Sequence, residues 1–174
     1  MAGSLVKIDE EIVTSAVASV TLGGADWDSS YDVYMVKMNN ILGSSNNTNL
    51  AYRVTESGTP NTTANYDWAF KELKTTTFSN RTGTNQNRAF FNQGTGNVAN
   101  EDLNNGIFYI FNANNSSEYT FFTWETVFLH QTAVPYGAQG GNVFTQTSSV
   151  NGLQFFFDTG NIASGTFTLY GLKK

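Results

Sequence analysis

A chain of 174 residues with 14 Phe, 8 Tyr, 3 Trp and no Cys is long enough to bury one core without disulfides or a structural metal. Charged residues make up only 13% and the formal net charge is −5, which argues against a basic, phosphate-tracking surface, while the aromatic content is a poor fit to disorder. Without Cys there is no thiolate zinc site and no thiol nucleophile, and no stretch approaches the roughly 18 apolar residues of a membrane span. Neither nucleic acid nor membrane is an expected partner.

Met1–Glu11 has no long apolar run after its Lys. It is expected to lack a cleavable signal, so that synthesis is cytosolic, and to form an N-terminal segment able to dock on a partner by extending a neighbouring sheet. Residues 12–174 read as one domain. From Ile12 to Leu22 the residues Ala16, Ala18, Val20 and Leu22 share one face of a strand that Gly23-Gly24 ends. Tyr31–Met38 is apolar on both faces and predicts a central strand. Leu50, Tyr52 and Val54 alternate with Ala51, Arg53 and Thr55, a half-buried pattern. Tyr66, Trp68 and Phe70 alternate with Asp67, Ala69 and Lys71, a strand pattern that a short helix over Asp67–Lys74 would also tolerate.

A Thr/Asn/Gly-rich stretch follows, then strands over Arg88–Asn92, Gly106–Asn112 and Tyr119–His130; in the last, Phe122, Trp124 and Phe128 share a face and should form the heart of the core. Gly137–Asn142 reads as a flexible loop. Val143–Thr147, Gly152–Asp158 and Gly165–Leu172 complete about nine or ten strands, the last two joined by Thr159–Ser164. The spacing predicts an all-β, antiparallel two-sheet β-sandwich.

His130 is the one histidine, so no histidine-rich metal site can be built, and packing or hydrogen bonding is its expected role. Asp26, Asp28 and Asp32 resemble a calcium loop, but Tyr31 stands where the helix-loop-helix motif needs Gly, and Lys37 where it needs its bidentate Glu. They read as a solvated turn. Glu56, Asp67, Glu72, Glu118, Glu125 and Asp158 are the acids among which a hydrolytic pair would be sought. Alternation sets Glu125 opposite Trp124, facing solvent or a neighbouring subunit. Trp27, Tyr31, Tyr52 and Tyr136 are the aromatics that would stack on sugar if exposed. Gly94–Asn97 and Gly137–Gly141 lack the strand-to-helix setting of phosphate loops, and Asn46-Asn47-Thr48 and Asn80-Arg81-Thr82 are chance glycosylation triplets. No catalytic residue, metal or cofactor is expected.

The closing run FDTGNIASGTFTLYGLKK, Phe157–Lys174, resembles the ending of small bacteriophage virion proteins of marine phages, a strand, S/T-G-N-I/F-x-S-G and a last strand ending L-Y-G-I/L-K. Gly160, Asn161, Ile162, Ser164, Gly165, Leu169, Tyr170, Gly171 and Leu172 carry the match. The opening SAVASVTLGGADWDSSYDVYMV and the segment YRVTESGTPNTTANYDWAF are also similar to that family, with Gly23–Asp26 as a slight expansion of its opening loop. The resemblance implies a jelly-roll sandwich with its first and last strands adjacent, and no catalytic residues. It further implies a virion location as a capsid decoration or cement subunit, a major capsid protein or other virion protein as partner, and a homotrimer. The alternative within that family is a head-fibre or tail-fibre component that binds host glycans.

Overall fold

Aromatic and β-branched residues at every second position, broken by Gly, Asn and Ser, favour strands throughout. The computed structural model describes residues 4–173 and contains β1 (Ser4–Val13), β2 (Val20–Gly23), β3 (Val33–Gly43), β4 (Leu50–Glu56), β5 (Thr59–Pro60), β6 (Tyr66–Lys74) and β7 (Phe78–Gln86). These are followed by β8 (Ala89–Phe90), β9 (Asn104–Phe111), β10 (Thr120–His130), β11 (Val134–Phe144), β12 (Gly152–Phe157) and β13 (Ile162–Lys173). Gly24–Asp26 forms a short 3-10 turn.

The strands make two antiparallel sheets, one of eight strands in the order β1-β13-β3-β9-β10-β11-β6-β7 and one of five in the order β2-β12-β4-β5 with β8 also on β4. Within them, β1-β13-β3-β9 opposed to β2-β12-β4-β8 is the strand order of a jelly roll, the chain crossing between sheets at each step from β1 to β4 and again from β12 to β13. The hairpins β6–β7 and β10–β11 widen the first sheet beyond that unit. As the family resemblance implies, the first and last strands are neighbours, paired from Ser4↔Lys173 to Val13↔Gly165.

The inner faces meet in an aromatic core. Tyr52 of the smaller sheet lies 4.7 Å from Phe108 and 5.4 Å from Phe122 of the larger, and Phe155 lies 4.9 Å from Phe167. Phe122, Trp124 and Phe128 are all buried, as expected. The buried phenols are satisfied: Tyr52 donates to Asn142 Oδ1 at 2.6 Å, and Tyr66 donates to the Asn61 carbonyl at 2.9 Å while accepting from the Val54 amide.

Several expectations are corrected. Ile12–Leu22 is the end of β1 and most of β2, separated by irregular backbone in which Val17 exchanges amide–carbonyl bonds with Ile162 as the chain passes from one sheet to the other. Ser4–Glu11 pairs along β13, so a boundary at residue 12 falls inside a strand; Met1–Gly3 of the docking segment and Lys174 of the closing run lie outside the described residues. The segment over Asp67–Lys74 is strand, not helix. Phe78–Gln86, within the Thr/Asn/Gly-rich stretch where no strand was expected, is the edge strand β7, and Arg88–Asn92 shrinks to β8. Gly137–Asn142 is no loop but the middle of β11, paired on both sides with β10 and β6. A Cβ at Gly140 would collide with Phe70 and lie 2.6 Å from the Ala69 carbonyl; glycine there lets Phe70 and Trp124 approach across the strand, ring centroids 6.1 Å apart.

Candidate functional site

The closing motif is built for the fold. Gly160 takes φ 81 at the corner between β12 and β13, a conformation glycine adopts freely. There the Asn161 amide donates to Ser44 Oγ at 2.8 Å and the Ser44 amide to the Asn161 carbonyl at 2.9 Å. Ile162 and Leu169 are buried in the core. Gly171 lies beneath the Tyr31 ring, which a Cβ would strike. The motif thus records how the last strand is seated between β1 and β3.

Beside Tyr31 lies a polar concavity of about 550 Å³ bordered by Ser29, Asp32, Asn112, Asn114, Asn115 and Ser116. Asn114 organises it: Trp27 Nε1 donates to Asn114 Oδ1 at 2.9 Å, and Asn114 Nδ2 donates to the Tyr31 carbonyl at 2.9 Å and to the Tyr34 hydroxyl at 2.7 Å. Tyr34 in turn donates to the Asp28 carbonyl at 2.6 Å, and burial raises its pKa. Asp28 accepts from the Ser30 amide at 2.9 Å, which lowers its carboxyl pKa. The three aspartates therefore bracket a turn closed by its own backbone, and no group of three or more His, Asp or Glu able to hold a metal occurs among the described residues.

Of the sugar-stacking aromatics, Tyr52 is fully buried, Trp27 is half-buried against Tyr34 at 4.0 Å, and Tyr136 is stacked on His130 at 4.5 Å. Tyr31 borders the polar concavity described above. His130 Nδ1 lies 2.8 Å from Thr132 Oγ1, and burial followed by the charge of Lys74 lowers its pKa. Its other ring edge rests on Gly94.

Next to this ring Glu72 points inward from β6, wholly buried, with Arg81 Nε at 3.1 Å and Lys74 Nζ at 3.3 Å from its Oε2. Neither Oε1 nor Oε2 is aligned for a hydrogen bond, so the contacts are ionic, and the two cations offset the desolvation of one carboxylate. Sequence reading had no signal for this cluster, since Arg81 lies on the unrecognised strand β7.

The other candidate acids are dispersed. Glu125 lies on the outer face of β10, exposed, accepting from Gln139 Nε2 at 2.6 Å. Asp67 caps the Asn85 amide at 2.7 Å, and Glu56 accepts from Gln146 at 2.8 Å. Asp158 anchors the turn before β4 by accepting from Thr48 Oγ1 and the Asn49 amide, each at 2.9 Å. Glu118 lies in the exposed β9–β10 connection. Glu72 and Glu125 occupy opposite faces of one sheet, and Glu56 and Asp158 stand at opposite ends of β4.

The larger feature is a surface. Nine exposed apolar side chains, Phe121, Val127, Ile107 and Tyr109 centrally, Leu73 and Phe78 at the β7 edge, and Leu5, Ile12 and Leu172 at the β1 edge, occupy the outer face of the eight-stranded sheet. Between β3 and β10 this face holds a depression of about 460 Å³.

No protein-family model matches the chain, and no curated protein matches it. Among solved structures, a fructofuranosidase from Schwanniomyces occidentalis complexed with fructosylnystose is similar at 7% identity and a TM-score of 0.28, the match covering 98% of this chain and 34% of that one. The chain spans about a third of that protein's length, and a likeness of this degree bears on neither activity nor ligand.

Proposed function

We propose that this chain is a non-catalytic bacteriophage virion protein, a decoration or cement subunit on the head surface whose partner is the major capsid protein. The observation that carries the reading is the closing motif, whose residues form the corner and last strand that close a jelly roll, as the resemblance to phage virion proteins leads one to expect. The exposed apolar side chains on the outer face of the large sheet support an assembling role, because association would take them out of water. Ser4–Val13 at the edge of the large sheet has one unpaired side, where a capsid strand can add. The test is gold labelling of purified virions with antibody to this chain. Label over heads is the expected result, and particles that never carry the chain overturn it.

A second reading is favoured by the concavity beside Tyr31: an appendage protein that binds host-surface glycans through one aromatic ring and the surrounding amides. Label over fibres, together with glycan-array binding lost in Tyr31→Ala, would select it over the first.

A further inference from the structure

The outer face of the eight-stranded sheet carries a charge pattern that its register makes legible. One row running across the paired strands contains Glu10 on β1, Lys37 on β3, Ile107 on β9, Glu125 on β10 and Lys71 on β6. The charges invert about Ile107. One strand to either side stand Lys37 and Glu125; three strands to either side stand Glu10 and Lys71. Two strands out, the neutral pair Thr168 and Gln139 completes the row. The salt bridges among the described residues, Lys7–Glu10, Lys74–Glu72 and Arg81–Glu72, leave Lys37, Lys71 and Glu125 out.

We propose that two copies of this chain pack these faces together about a two-fold axis that lies in the interface and runs along β9. Such an axis sets each residue opposite the one equally far on the other side of β9. Lys37 then faces Glu125 of the second copy, Glu10 faces Lys71 of the second copy, and each pairing occurs twice. In the adjacent row, which contains Tyr170, Tyr109 and Gly141, the half-buried ring of Tyr170 falls opposite Gly141, bulk against a gap. On the axis Ile107 and Tyr109, 43% and 38% exposed, meet their own copies and lose water. The alternative two-fold, across the strands, would set Lys37 on Lys37 and Glu125 on Glu125. Charge complementarity therefore selects one axis.

Shape and area agree. Two sheets of the same twist related by an axis along a strand curve in the same sense, so their surfaces stay parallel across the contact. About an axis on β9 the seven strands from β1 to β6 overlap and β7 overhangs; spaced about 4.8 Å apart, with four outward rows about 6.8 Å apart, they cover roughly 29 by 20 Å, or about 600 Å² of plane. That is about three-quarters of the roughly 800 Å² per partner of a standard stable interface.

The proposal does not rest on the virion reading and departs from the homotrimer that the family resemblance implies, and the two readings fail separately: a protein monomeric in solution but present on heads removes only this one, and a dimer absent from virions removes only the other. The test is sedimentation of the full chain at low salt, as wild type, Lys37→Glu, Glu125→Lys and the double exchange. A dimer is expected, weakened by about tenfold or more in each single variant because two like-charged contacts replace two attractive ones, and restored to within about threefold in the double exchange. Ile107→Asp, at an exposed position that does not hold the core, should abolish the dimer with an unchanged circular dichroism spectrum. A wild-type monomer, a trimer, or a double exchange no tighter than the single variants overturns the proposal.

Discussion

Along β10 the inward residues Phe122, Trp124 and Phe128 and the outward residues Phe121, Glu125 and Val127 come from one strand of 11 residues, yet the first set is sealed under the smaller sheet and the second stands open. Large apolar residues stand on both faces, Phe121 and Val127 outward as well as the three inward rings, so apolar character alone does not mark the buried face. What distinguishes them is cover: five strands lie over one face, and among the described residues no strand lies over the other. An alternation of aromatics can therefore mark two apolar faces with different fates, one buried by folding and one left for association.

The contrast is broken most directly by truncating the same strand on its two faces. Trp124→Ala should cost about 3–5 kcal/mol in denaturant unfolding, because Trp124 is 1% exposed and packs on Phe70 and Phe91. Phe121→Ala, 45% exposed, should change the stability of the dissociated chain by no more than about 0.5 kcal/mol at high dilution. Equal losses at the two positions would mean that the outer face is covered within the chain.

A gentler probe adds bulk to the inner face. Gly140→Ala should destabilise by about 2 kcal/mol, since the new methyl meets Phe70 and the Ala69 carbonyl between two paired strands. Gly141→Ala, its neighbour on the outer face, meets only the Phe122 carbonyl at 3.2 Å and should cost less than half as much in the same melts.

The smallest effect is electrostatic. Burial and then Lys74 lower the pKa of His130 below its ordinary 6.5, so the neutral ring is the folded form. Its contribution is present above pH 6.5 and is lost as pH falls through the lower folded value, since the unfolded chain takes up the proton first. Melting temperature should thus decline on acidification from pH 7 towards 5, and His130→Gln should flatten that part of the profile. An unchanged slope in the variant would assign the decline to other groups.

The sandwich was legible in the sequence where one face is dry, as in β10 and in Leu50–Val54 of β4, because burial enforces period-two alternation. Ala51 and Thr55 are nevertheless buried too, which their small size did not signal. It was illegible in β7, an edge strand held by backbone pairing to β6, whose Ser, Asn, Arg and Thr side chains carry no apolar alternation. It misled in β11, where a run of glycines, of which Gly140 makes room for Phe70 of the neighbouring strand, looks like a flexible loop. The charge row escaped sequence reading altogether, for Glu10, Lys37, Lys71 and Glu125 come from four strands and acquire an order only once register is known.

The seating of β13 has a consequence for how this molecule is made. It fills the slot between β1 and β3, two strands that are finished by Gly43, yet it begins only at Ile162. Until it arrives, β1 and β3 wait with open hydrogen-bonding edges, and contacts this distant in sequence form slowly. Assembly should end with the insertion of one strand, and a nascent chain stalled before Ile162 should be the species most prone to clump and to recruit chaperones.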